Sequence, residues 1–122
     1  MFKHIKSKPQ LIDLTILEEM TDGSPELLLD MIDIFMLQVS NFTKDMEEAY
    51  SSGDYAKLGA IVHKAKSSVA TMGVTSIVSK MKEFELLARS GENPELYPEY
   101  LNTFKNTCKE AIKELQYIKS NL

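Results

Sequence analysis

His63 and Lys66 stand three residues apart in the run His63-Lys64-Ala65-Lys66-Ser67-Ser68, and a pair of this kind can carry covalent chemistry. A neutral imidazole, with an ordinary pKa of about 6.5, is a nucleophile near neutral pH and can form covalent intermediates. An ammonium one helical turn on can sit beside a transferred anionic group such as a phosphoryl. A second charged pair, Glu85 and Arg89, stands four residues apart further along. That chemistry depends on what holds these side chains and which way they face.

Helix signals dominate, and strand alternation bounded by turn residues is hard to find. A short first helix is expected from about Asp13 to Met20, with Gly23 in the left-handed position after it. Ser24 then reads as an N-cap, with Pro25 at the first helical position and Glu26 near the positive helix end. A long second helix follows from the three- and four-residue spacing of Leu28, Met31, Ile32, Phe35, Val39, Phe42, Met46 and Ala49, and ends near Gly53. Asp54 caps a third, striped by Leu58, Ile61, Val62, Ala65, Val69 and Met72 and stopped by Gly73. A fourth uses Val74, Ile77, Val78, Met81, Phe84 and Ala88 and closes at Ser90-Gly91, with Pro94 beyond. The fifth follows immediately, its stripe running through Leu101, Phe104, Cys108, Ala111, Ile112, Leu115 and Ile118. Such short connections favour antiparallel neighbours, so the fold class expected is all-α: an antiparallel four-helix bundle with a short additional N-terminal helix.

At about 100° per residue, the apolar stripe of the third helix lies on one side and His63 nearly opposite, facing solvent. Around it fall Ala56, Gly59, Ala60, Ser67 and Ala70, all small, with Lys66 at the edge. A partner could approach the ring closely there, and Gly59 gives up about 1 kcal/mol of helix propensity against alanine. By itself this placement reads as an ordinary solvated face. Glu85 is the further signal, because it falls inside the apolar stripe of the fourth helix, where a carboxylate needs a partner. Lys66 and Arg89 are the candidates. The cluster reads either as a structural ion pair at the bundle edge or as a support that orients the histidine.

The rest of the composition narrows the function classes. The chain has 122 residues, 43% of them hydrophobic, which suits one domain with a modest core. A formal charge of −4 and a pI near 5.2 give no general attraction to nucleic acid or anionic lipid. Lys3, Lys6 and Lys8 read as part of a flexible N-terminal tail over residues 1–10, in which His4 is inert. Cys108 has no intramolecular partner and lies on an apolar stripe, so it reads as core, as do most of the seven methionines. No stretch approaches a membrane span and the N-terminus has no signal-peptide core, so a cytoplasmic location is expected. Di-iron bundles use Glu-x-x-His pairs, whereas alanine stands three residues before His63 and methionine three before His4. Two histidines and one cysteine are too few for zinc ligation of the usual kind, and no Gly-rich loop follows a strand.

The run from His63 to Val74, His-Lys-Ala-Lys-Ser-Ser-Val-Ala-Thr-Met-Gly-Val, resembles the signature H-x-L-K-G/S-S-x-x-x-L/M-G-A of histidine-containing phosphotransfer (HPt) domains. The histidine, the lysine three on, the small residues after it and the glycine ten on all match. Phe84-Glu85 resembles the family's Leu-Glu or Leu-Gln pair, Arg89-Ser90-Gly91 the end of the same helix, and the likeness spans roughly Leu11 to Leu122. Ala65 departs from the usual leucine, and Ser67 stands where many members have glycine, which bears on partner choice.

The resemblance implies a phosphocarrier of two-component phosphorelays, not a kinase. His63 would be the phosphoacceptor, Lys66 the cation beside the phosphoryl group, Glu85 and Arg89 supporting residues, and Gly59, Ala60, Ser67 and Ala70 a docking face. The implied partner is the receiver domain of a sensor hybrid kinase or response regulator, which brings its own aspartate and Mg²⁺. The chain itself needs no cofactor or metal. It is expected to act as a monomer, and its methionine start and length suit a free-standing protein, with a fragment of a hybrid kinase as the other reading. The rival function is a helical-bundle adaptor that binds a kinase or receiver without accepting phosphate. Such an adaptor has no reason to keep both His63 and Lys66.

Overall fold

Five α-helices account for most of the chain: α1 (Leu14–Thr21), α2 (Pro25–Ser51), α3 (Tyr55–Thr71), α4 (Val78–Ser90) and α5 (Tyr97–Ser120). The structure, a computed structural model, describes Phe2, His4, Ile5 and residues 11–122. Among these residues there is no strand. The first three starts have a local cause. Asp13, Ser24 and Asp54 accept hydrogen bonds from the amides of Thr15, Leu27 and Lys57, satisfying donors that the first turns of α1, α2 and α3 leave open.

The stops are equally local. At the end of α3 the Val74 amide bonds to the Val69 carbonyl (2.9 Å) and the Gly73 amide to that of Ala70 (3.1 Å), with Gly73 at φ +78°. The end of α4 repeats this pattern around Gly91, at φ +69°. One boundary differs from the sequence reading. Val74 is buried but not helical, and Thr75–Ile77 form a 3₁₀ turn before α4, because the bond back to Val69 commits Val74 to closing α3. After α1, Asp22 (φ 51°) takes the left-handed cap position and Gly23 (φ 74°) continues the turn. A second 3₁₀ turn, Pro94–Leu96, leads into α5.

α2 contacts α3 and α5, and α4 contacts the same two, so the four long helices close around a shared core while α1 packs on α2 and α3. The expected stripes line that core, including Cys108, whose thiol burial pushes up to about 12. Tyr97 is also fully buried, its hydroxyl lying 2.7 Å from the Leu87 carbonyl and 2.8 Å from that of Glu92, which ties the end of α4 to the start of α5.

Two residues of the expected tail pack on the core. Phe2 and Ile5 are buried, and the Phe2 amide donates to Glu18 Oε1 (2.5 Å), while His4 is exposed. Further on, the Leu11 and Ile12 amides donate to the buried Glu114 carboxylate of α5 (2.6 and 3.2 Å). A tail read from its lysines missed apolar side chains at positions 2 and 5 that the core accepts. Lys3, Lys6 and Lys8 lie outside the described residues.

Candidate functional site

The third and fourth helices approach closely one turn before His63. Gly59 is buried, and a Cβ built on it would lie 2.7 Å from Arg89 Cγ, 3.2 Å from the Arg89 amide nitrogen and 3.4 Å from the Glu85 carbonyl. This corrects its expected place on an open docking face: the missing side chain serves the α3–α4 approach. With the two backbones this close, the Glu85 side chain can reach across to α3.

There it meets three donors. Lys66 Nζ donates to Oε1 at 2.9 Å, Arg89 Nε donates to Oε2 at 3.0 Å, and His63 Nδ1 lies 3.2 Å from each oxygen. Glu85 is 8% exposed, yet its carboxyl is held down at about 2, chiefly by the Lys66 hydrogen bond, against the opposing effect of burial and with further help from His63 and Arg89. The structure therefore brings His63, Lys66, Glu85 and Arg89 into one cluster and gives Glu85 both of its anticipated partners.

An ionised carboxylate only accepts hydrogen bonds, so Nδ1 of His63 must carry the ring proton in this contact. The lone pair then resides on Nε2, on the other side of the ring. The His63 side chain is 53% exposed, and reagents can reach that nitrogen. A neutral imidazole held in one tautomer is a nucleophile with a defined attacking atom.

Of the remaining expected face, Ala60 and Ser67 are exposed and Ala70 is half-buried. The second helix supplies what sequence reasoning missed. Gln38, Asn41, Phe42 and Asp45 of α2 form one wall of a groove, and His63, Lys64, Ser67 and Ser68 of α3 form the other. The groove continues past Gln38 toward Met31 and Ile34. Ile34 and the nearby Leu37 are 57% and 65% exposed, large apolar side chains left at the surface of α2. The spacing of Gln38, Asn41 and Asp45 was a usable signal, since it places three polar side chains on one helix face.

Residues 30–117 match the protein-family model described as the Hpt domain, a span that runs from α2 through α5 and contains the whole cluster. The chain belongs to the Hpt domain family. No curated protein and no solved structure matches it. Hpt domains are phosphocarrier modules of phosphorelays rather than kinases, and they work with receiver domains and kinases of two-component systems. In this Hpt domain no helix among the described residues is long and apolar enough to cross a membrane.

The close approach at Gly59 has a measurable consequence. Gly59→Ala should gain up to about 1 kcal/mol in helix propensity, but it must displace Arg89 and the α4 backbone, and overpacking of this kind costs about 1–3 kcal/mol. We expect a net loss of up to about 2 kcal/mol in urea denaturation, because the 3.2 Å contact is to backbone, which cannot rotate away. A variant more stable than the parent would contradict the tight α3–α4 contact.

Proposed function

We propose that this Hpt domain accepts a phosphoryl group on Nε2 of His63 and exchanges it with the aspartate of a receiver domain. The observation that carries the reading is the Nδ1 contact to the Glu85 carboxylate, which leaves Nε2 as the exposed nucleophilic nitrogen. On this reading the chain is an antiparallel four-helix bundle with α1 against its side, which the short connections and the neighbour pattern of the helices support.

The receiver contributes its aspartate and the Mg²⁺ that neutralises developing charge. In transfer, Nε2, phosphorus and the aspartate oxygen lie along one axis. Lys66 is about one-fifth exposed and flexible enough to lean from Glu85 toward the phosphoryl oxygens. The groove between α2 and α3, with Met31 and Ile34 at its far end, supplies an apolar surface beside the nucleophile for docking. Ala60, Ser67 and Ala70 keep the α3 side of that approach low, and Ser67 in place of glycine is where partner choice would differ. The adaptor alternative shares this docking surface but uses the Nδ1–Glu85–Lys66 arrangement only as a structural ion cluster at the bundle edge.

Incubation with a phosphorylated receiver domain and Mg²⁺ should load one acid-labile, alkali-stable phosphate per chain, and failure with a broad panel of receivers would favour the adaptor. Lys66→Ala should slow transfer about 10- to 100-fold, as expected for the loss of a charge beside the transferred group. Far-UV circular dichroism should show the fold retained. A variant that transfers at the parental rate would reduce Lys66 to a structural partner of Glu85.

A further inference from the structure

Phosphorylation at Nε2 creates a question that the unphosphorylated site does not pose: what happens to the proton on Nδ1. As Nε2 attacks, the Nε2–P bond forms, the P–O bond of the receiver's acyl phosphate breaks, and its electron pair leaves with the aspartate carboxylate. Nothing in that exchange removes the Nδ1 proton, so the phosphorylated ring is initially a cation. Outward transfer reverses the electron flow: the Nε2–P pair returns to Nε2 while a new P–O bond forms on the accepting carboxylate. With the Nδ1 proton in place, the group that leaves is neutral imidazole. Without it, imidazolate must leave, a far poorer leaving group.

Resting on the phosphotransfer reading, we propose that Glu85 keeps the Nδ1 proton on phosphorylated His63, so that the ring stays cationic and ready to release the phosphoryl group. A carboxylate does this where an amide in the same place would not, because an opposite charge at hydrogen-bonding distance favours the cation, while a neutral acceptor leaves the balance to the neighbours. Those neighbours are mixed. Lys66 from α3 and Arg89 from α4 touch the same carboxylate, while Lys64 lines the groove beside His63 on α3 and Asp45 lines the opposite wall on α2. Lys66 and Arg89 disfavour a third positive charge, and Glu85 is the anion in direct contact with Nδ1, 3.2 Å away at both oxygens. Its burial keeps water from replacing that contact. Glu85 is in this sense a positioning residue for the proton, acting through His63 and not on phosphorus.

The test uses the phosphorylated full chain, parent and Glu85→Gln, with ¹⁵N NMR following the phosphohistidine ring against pH and outward transfer to a receiver measured over the same range. Glu85→Gln should lower the pH midpoint of Nδ1 deprotonation by about one unit or more, the usual size of an adjacent opposite charge. The ratio of variant to parent transfer rate should be constant at acidic pH and fall about fivefold or more by one unit above the variant's midpoint. Lys66→Met should move the midpoint the other way, by removing a competing cation, and it decides the matter if Glu85→Gln does not fold. Coincident midpoints in parent and variants would overturn the proposal while leaving the phosphotransfer reading standing. A parent chain that takes up no acid-labile phosphate would overturn both.

Discussion

His63→Gln should abolish uptake of acid-labile phosphate from a phosphorylated receiver while leaving the fold intact. The amide side chain has no lone pair on nitrogen basic enough to attack phosphorus, and no other described histidine is near: His4, the second of two in the chain, is exposed on the N-terminal segment outside the cluster. The expected loss is therefore complete, to the background of the assay. Stability should fall by no more than about 1–2 kcal/mol, because one hydrogen bond to an ionised group is altered at a half-exposed position. Intact-mass measurement and urea denaturation check the two parts separately. Loading of the variant at the parental level would place the acceptor elsewhere and remove the basis of the proposed function.

The second large effect is on acid stability. Glu85 is held at about 2 in the folded chain against an ordinary 4.5, first by Lys66. A depressed carboxyl stabilises the fold fully above its unfolded value and loses that contribution as pH falls through the folded one. The window is thus about pH 5 down to 2, and the contribution at neutral pH is at most about 3 kcal/mol at 1.36 kcal/mol per unit. Denaturation midpoints of the parent should drop steeply across that window. Glu85→Gln should begin lower at pH 7 and show a shallower acid limb, the two curves converging near pH 2. Parallel curves would mean that Lys66 and Arg89 contribute nothing net to the carboxylate, and that burial cancels their effect.

These two expectations meet at one arrangement, and its parts were legible to different degrees. His63 could be placed on the solvent side of α3 from its angle to Leu58, Val62, Ala65 and Val69, all of which are buried. Glu85 could be marked as a carboxylate within an apolar stripe, between Val78 and Ala88 in angle. Both are properties of a single helix, where about 3.6 residues per turn fixes which side chains share a face. The caps at Asp13, Ser24 and Asp54 and the stops at Gly73 and Gly91 were readable for a similar reason, since each satisfies backbone groups within a few residues.

Relations between helices escaped that reading. Gly59 was assigned to an open surface because its own helix allows no other inference, whereas its burial follows from Arg89 and Glu85 lying against it. The groove wall of Gln38, Asn41 and Asp45 belongs to α2, and nothing in the periodicity of α2 says that it borders His63. Phe2 and Ile5 were lost among lysines, although the core takes both.

By itself, then, the sequence determined the helices, their apolar faces, the exposure of His63 and the need of Glu85 for a cation. Only the tertiary structure decided that one carboxylate would serve His63, Lys66 and Arg89 together. Periodicity sets the angle at which a side chain leaves its own helix. The distance to a neighbouring helix depends on what both surfaces carry at the crossing, and here it is set by the side chain that Gly59 lacks.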